Sequence, residues 1–363
     1  MLCQPSARYE SSKKTAEPGL VVTDKHKEGS SQSAISTNAV ESAVGATTAP
    51  TPRDFGYVNL PVEERYQNRV VMIVFAGRKS RLQSQILYLE RLVNTTEIDF
   101  VHYHECNPSP SDKAYLHSLA ERMPPWFALC DCSGGFSSVY AHYENETLYE
   151  TTNFIKIDDD IVFLPTNNKA ITKAVQYNQQ HPEASWTSGL VVNNPLVDHL
   201  LQQQGVIPQT EALNFTALPI DGTWVGIPSI ADYAQRKQSL SALHDYFIAH
   251  VDQFENLPYP PHIFNHTYRV CLNAMFFRQH QLKRWNLSKG GFDEIVVRWY
   301  NLRNNMHVHL FLQAPMVHLN YGRQRTAGLV DNRFEKEYLA LACRRLELTK
   351  ERDECREFDV EEG

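Results

Sequence analysis

Between Thr152 and Pro165 the chain reads TNFIKIDDDIVFLP, three consecutive carboxylates set inside an otherwise apolar run. An apolar run bounded by turn formers is the pattern of a strand buried in an α/β sheet. A buried charge has to meet an opposite charge or a metal. Like charges this close also raise one another's pKa unless a cation neutralises them. Alternate strand residues point the same way, so Asp158 and Asp160 can share one face while Asp159 takes the other. Hard oxygen donors with open positions suit Mg²⁺ or Mn²⁺, whose shells phosphate commonly completes. A solvated acidic turn between two strands is the plainer alternative. Apolar residues on both sides, Phe154, Ile155 and Ile157 before and Ile161 to Leu164 after, weigh against it.

The remaining composition sets bounds. With 363 residues, 42% hydrophobic and 21% charged, the chain can bury one large core or two ordinary ones. A net charge of -7 argues against a nucleic-acid-binding surface, which is usually basic. Seven cysteines are too few and too scattered for a disulfide scaffold, and the one-residue gap between Cys130 and Cys132 does not match a zinc knuckle. They read as core or loop residues. No apolar run approaches the roughly 18 residues needed for a membrane span. The opening MLCQPSARYESSKK lacks the apolar core of a signal peptide, so the expectation from that absence is a cytoplasmic chain. Five N-x-Ser/Thr sequons, at Asn94, Asn145, Asn214, Asn265 and Asn286, point instead to a Golgi or secretory lumen. The compartment stays open.

Residues 1–55 are rich in Ser, Thr, Ala, Gly, Lys and Glu and have too little apolar surface to offset their ordering entropy, which predicts a disordered segment. Residues 56–345 form the expected folded domain, and 346–363 a charged tail, helical and then frayed. Arg69 to Ala76 (RVVMIVFA) predicts a first, central, parallel strand. Leu82, Ile86, Leu89 and Leu92 then fall on one face of a helix. A strand over Ile98 to His102 and an amphipathic stretch over Lys113 to Arg122 follow. Strand and helix in alternation predict an α/β fold with a mainly parallel sheet flanked by helices. Further on, a helix is predicted over Asn168 to Asn178 and a strand over Ser185 to Val192, closing on Asn193-Asn194-Pro195. Gln202 to Tyr259 reads as an acceptor-side insertion or lid. A strand over Arg269 to Arg278, a helix from Asp293 and two short strands between Met306 and Leu319 complete the core.

Ligands of open α/β sheets bind beyond the carboxyl ends of the strands. The loop after the first strand (Ala76, Gly77, Arg78, Lys79, Arg81) and the acids Asp158 to Asp160 both follow strand candidates and can face one crevice. The basic residues would then meet phosphate or base.

Lys156-Ile157-Asp158-Asp159-Asp160-Ile161-Val162 resembles the D-x-D region of GT-A fold glycosyltransferases, which use nucleotide-sugar donors. Gly290-Gly291-Phe292-Asp293-Glu294 resembles the Gly-Gly-Phe-Asp-Glu turn of family 2 glycosyltransferases. His318 in Met316-Val317-His318-Leu319 is similar to the C-terminal metal-binding histidine of many GT-A enzymes. Together these cover about residues 69–325 in the family's order. Val191 to Pro195 and His318 to Arg325 (HLNYGRQR) are further similar to a fungal-type group of nucleotide-diphospho-sugar transferases.

The resemblance implies a Rossmann-like GT-A sheet and a metal-dependent transfer of sugar from a nucleotide diphosphate to a glycan, protein or lipid hydroxyl. It implies Mn²⁺ or Mg²⁺ held by Asp158, Asp160 and His318, with the metal as Lewis acid on the diphosphate. Asp159 would contact ribose or sugar hydroxyls, and Arg323 and Arg325 would clamp the diphosphate. Glu294 or Asp293 would be the general base, Glu294 being favoured for its reach; the Asp-Glu order inverts the Glu-Asp order of much of the superfamily. Two other classes remain: a metal-dependent nucleotidyltransferase, although no Gly-rich phosphate loop is present, and a non-catalytic nucleotide-sugar or carbohydrate-binding protein on the same fold. A serine hydrolase is excluded, since Gly135-Phe136-Ser137-Ser138-Val139 lacks the second glycine of the nucleophile elbow.

Overall fold

The computed structural model describes residues 2–3, 60–106, 108–132, 135–215, 237–264, 270, 272–287, 293–319, 333–348 and 355, with the backbone alone at 2–3, 62–63, 237–238, 293–296 and 298–299. The chain divides into a body of residues 1–4 and 52–363 and a segment 5–51, none of which is among the described residues. The expected disorder of 1–55 therefore lies outside them, except at Leu2 and Cys3, which form a short strand.

Among the described residues one sheet holds ten strands: β1 (Leu2–Cys3), β2 (Val70–Ala76), β3 (Phe100–Glu105), β4 (Phe127–Asp131), β5 (Asn153–Asp158), β6 (Ile161–Phe163), β7 (Trp186–Val192), β8 (His262–Phe264), β9 (Ala274–Arg278) and β10 (Val308–His318). Their order is β1-β4-β3-β2-β5-β9-β7-β10-β6, with β8 on β10. From β1 to β5 all neighbours are parallel, as are β7 and β10. β9 runs antiparallel between β5 and β7, and β6 and β8 run antiparallel to β10. The α/β class with a mainly parallel sheet flanked by helices is thus the observed architecture.

β2 is central, as its β-branched run predicts, and Val71 to Ala76 are all buried. The helix Lys79–Asn94 crosses from β2 to β3 and buries Leu82, Ile86, Leu89 and Leu92. Because β3 lies on one side of β2 and β5 on the other, the chain reverses direction across the sheet here. Such a switch point opens a crevice beyond the carboxyl ends of the strands.

Several elements differ from their sequence-based expectations. β4 and the helix Phe136–Asn145 carry only five and ten residues, too short for a clear period. Asn193-Asn194-Pro195 opens a helix rather than only closing a strand: the Asn194 side chain accepts from the backbone N–H of Leu196 and Val197, and Pro195 stands where no N–H is needed. In the stretch read as an insertion, residues 237–249 and 251–255 are helical, while 216–236 lie outside the described residues. Val308–His318 is one strand, not two, with a register shift between Phe311 and Pro315. Proline cannot donate to a ladder, which explains the irregularity. Gly189 faces that point, and a Cβ there would stand 3.2 Å from the Ala314 carbonyl. Among the described residues a helix runs over Arg333–Arg345 and Leu346 and Glu347 form a turn, while most of the predicted tail 346–363 lies outside them.

The cysteines require a correction. Cys106 bonds Cys132 and Cys343 bonds Cys355, and Cys130 is also disulfide-bonded. Sequence separations of 26 and 12 carry no hint that the paired Cα atoms lie 5.0 and 5.9 Å apart.

Candidate functional site

Parallel pairing of Phe75 with Asp158 brings the ends of β2 and β5 level. Gly77 and Arg78 leave β2 at the height where Asp158 to Asp160 leave β5. Gly77 allows close approach, since a Cβ there would lie 3.3 Å from Asp159 Oδ2 and 3.6 Å from the Cys106 carbonyl. Arg78 spans the gap: Nε donates to Asp159 Oδ2 at 2.8 Å, one terminal nitrogen pairs with Asp159 Oδ1, and the same nitrogen lies 3.1 Å from Asp160 Oδ2. Arg81, in the first turn of the following helix, reaches Asp160 Oδ2 at 3.2 Å and Glu335 at 3.1 Å. The basic loop and the acidic turn therefore share one crevice.

His318, the last residue of β10, sets Nε2 3.2 Å from Asp160 Oδ1. The backbone fixes this meeting, because β6 pairs with the end of β10 and the Leu319 N–H donates to the Asp160 carbonyl at 2.8 Å. Asp158 turns elsewhere, with Lys156 Nζ at 2.6 Å and Asn273 Nδ2 at 2.6 Å. Lys156 also donates to the Leu272 carbonyl.

The three acids differ electrostatically. Burial raises the pKa of Asp158, against the pull of Lys156. Burial likewise raises that of Asp159, against its hydrogen bonds from Arg78. Burial opposes ionisation of Asp160 too, but His318, Arg78 and Arg81 outweigh it and hold that carboxyl well below the usual range. Asp160 is therefore the fixed anion of the crevice.

Supporting groups came from Asn193, within the Val191-to-Pro195 motif, and from Gln85, His244 and Glu335, which the sequence did not single out. Gln85 donates to the carbonyls of Asp158 and Ile161 and accepts from the Tyr103 hydroxyl, bracing the acidic turn from beneath. Asn193, at φ 68, donates to the carbonyls of His318 and Leu319. That gives the Val191-to-Pro195 motif a physical task, holding the end of β10. His244 bridges the Leu319 carbonyl and the Tyr338 hydroxyl, and burial lowers its pKa to about 3, so the ring is neutral. Glu335 comes from the helix that packs on Lys79–Asn94.

Of the residues predicted for the site, Ala76, Gly77, Arg78, Arg81, Asp158, Asp159, Asp160 and His318 meet in this crevice. Ala76 contributes backbone, its carbonyl accepting from the Cys106 N–H. Asp293 and Glu294 begin the helix Asp293–Asn304, where negative charge suits the helix end, but their side chains lie outside the described residues. Arg323, Arg325 and the Gly290-Gly291 turn also lie outside them.

The donor chemistry fits a hard divalent cation. Two carboxylates and an imidazole line one edge of the crevice, and Asp160 and His318 already converge. Asp158 would join them by leaving Lys156 and Asn273. No family model matches the chain, and no curated protein matches it.

Proposed function

We propose that this chain is a metal-dependent glycosyltransferase that binds a nucleotide-diphosphate sugar beyond β2 and β5 and transfers the sugar to a hydroxyl acceptor. One observation carries the proposal: Arg78 and Arg81 meet Asp159 and Asp160 directly, with His318 against the same carboxylate, at the switch point of the sheet. Asp158, Asp160 and His318 would hold Mn²⁺ or Mg²⁺, which supplies a Lewis acid for charge building on the leaving diphosphate. Arg78 is 29% exposed at its side chain and can turn from Asp160 to phosphate, for which a guanidinium is suited. Arg81, at 4%, stays and keeps the field positive. Asp159, released from Arg78, accepts from ribose or sugar hydroxyls. Arg323 and Arg325 complete the diphosphate clamp, and Glu294, or Asp293 beside it, takes the proton of the acceptor hydroxyl. The acceptor is a glycan, protein or lipid hydroxyl. The disulfides, together with exposed sequons at Asn94 and Asn145, support an oxidising secretory lumen as the working compartment.

The same ion pairs favour a second reading. Arg78, Arg81 and Lys156 already match the three aspartates, so burial of the acids requires no metal. A non-catalytic nucleotide-sugar binder on this fold would show that balance. Melting curves with a panel of nucleotide sugars, with and without Mn²⁺, followed by an assay of donor hydrolysis, separate the two. The enzyme reading expects metal-dependent stabilisation by one donor class and slow metal-dependent hydrolysis of it. Stabilisation without metal or hydrolysis supports the binder, and no stabilisation by any donor removes both.

A further inference from the structure

At the opposite end of the sheet, β7 and β10 start side by side, with Trp186 beside Val308 and Thr187 beside His309. The helix Ala170–Gln180 ends here at His181. One ligating atom each from His181, Glu183 and His309 lie within 4.8 Å of one another. His309 is buried, His181 half-buried and Glu183 exposed, so the group opens to solvent on the carboxylate side. Along β10, His318 lies nine positions beyond His309, roughly 30 Å of strand. This cluster is therefore remote from the crevice of Asp158 to Asp160.

Tyr177 orients both imidazoles. Its carbonyl accepts from His181 Nδ1 at 2.8 Å, and its hydroxyl, 3.0 Å from His309 Nδ1, can accept from that ring. Its own ring stacks on His181 with centroids 4.0 Å apart. An imidazole that donates from Nδ1 to an oxygen keeps its Nε2 lone pair for a metal, the arrangement that fixes tautomer and ring direction in metal sites. The intervening turn is clipped as well: the Ala184 N–H donates to the His181 carbonyl and the Ser185 N–H to the His307 carbonyl. The ordering that usually opposes metal binding is thus largely complete beforehand.

We propose that His181, Glu183 and His309 form a binding site for a borderline divalent cation of the Zn²⁺ type, with Tyr177 as its positioning residue and a fourth ligand taken from solvent. Two imidazole nitrogens and one carboxylate suit Zn²⁺ in kind and number, three protein ligands leaving one open position. Bound there, the ion ties the end of the helix Ala170–Gln180 to the start of β10.

The test uses the full chain, stripped with chelator and dialysed, and Zn²⁺ alone as the probe. Calorimetry and bound-metal analysis are compared across wild type, His181→Gln, Glu183→Gln, Tyr177→Phe and Asp158→Asn, with circular dichroism as the check on folding. His181 and Glu183 reach solvent, so their variants are expected to fold. Wild type should bind one Zn²⁺ at this site. His181→Gln and Glu183→Gln should each weaken binding roughly 100-fold. Tyr177→Phe, which keeps the carbonyl, should weaken it about 10-fold, and Asp158→Asn should leave it unchanged. Absence of binding by wild type, binding unchanged in both His181→Gln and Glu183→Gln, or loss confined to Asp158→Asn each overturns the proposal.

Discussion

At the carboxyl ends of β2 and β5, Arg78, Arg81 and Lys156 already answer three aspartates; at the amino ends of β7 and β10, His181, Glu183 and His309 turn ligating atoms toward one another. The first cluster is mostly buried and closed by Arg78 and Arg81 from a distant part of the chain and by Lys156 from the same strand. The second is half open and held by one tyrosine, close to His181 in the chain and far from His309. A closed ionic network makes each member necessary to the fold, because removing one leaves another charge buried alone. A pre-oriented open cluster makes its members necessary to a ligand and much less to the fold.

That contrast breaks most readily at Asp160. Asp160→Asn takes a charge partner from buried Arg81 and should cost about 3–5 kcal/mol in urea unfolding. Metal-free His181→Gln should cost about 1 kcal/mol or less. Equal losses would erase the distinction. The pH dependence sharpens it. Asp160 has a depressed folded pKa, so its contribution is present above the unfolded value near about 4 and is lost as pH falls through the folded one. Asp158 has a raised folded pKa, so its contribution is complete below about 4 and is lost as pH rises through the folded value. The stability gap between wild type and Asp160→Asn should therefore narrow on acidification, and the gap for Asp158→Asn should widen. Melting temperatures taken between neutral and strongly acid pH decide this, and gaps that move together contradict it.

The next effect is covalent. Cys106 follows β3 and Cys132 follows β4, so their bond ties two strand ends on the crevice side, next to Gly77. Cys132→Ser releases a loop of 26 residues and should cost about 3.5 kcal/mol on the loop-entropy estimate. The loss should appear in the melting temperature and in donor affinity while Zn²⁺ affinity at the other end is retained. A parallel loss of both would show that the two ends are not independent. Smallest is Gly77→Ala. Its Cβ would press on Asp159 Oδ2, which Arg78 pins, so the pair must shift by a few tenths of an ångström. About 1 kcal/mol of stability is expected, with a larger proportional change in donor affinity. An unchanged donor affinity would separate Asp159 from the donor site.

Much of the crevice was legible in the sequence. Val70 to Ala76 is a β-branched run with turn formers behind it, so that strand, its central position and its meeting with the acids followed from pattern. The acidic run, read as one buried strand with Asp158 and Asp160 on one face, is instead two strands, β5 and β6, with Asp159 and Asp160 together on Arg78 in the turn between them. His318 and the Val191-to-Pro195 motif entered through resemblance, and the task of Asn193 became visible only as hydrogen bonds to the end of β10. The long-range partners of these charges were less legible. Arg81 finds Glu335 across 254 residues, and Lys156 finds the Leu272 carbonyl across 116. No local period encodes such pairings. The disulfides were misread for a related reason, since spacing along the chain does not report distance across strand ends. The His181 cluster escaped notice because its members sit at the ends of three elements, each ordinary by itself: a helix end, a turn and a strand start.

The central claim is that Asp158, Asp160 and His318 hold a divalent cation that a nucleotide-diphosphate sugar requires. Calorimetric titration of the stabilising nucleotide sugar into wild type and Asp158→Asn, each with Mn²⁺ and with chelator, tests it most directly, because the Asp158 side chain is the most exposed of the three acids and the amide keeps its shape beside Lys156. The account predicts donor binding to wild type with Mn²⁺ alone, and none to Asp158→Asn in either condition while its circular dichroism is unchanged. Donor binding of equal strength in all four titrations would contradict it.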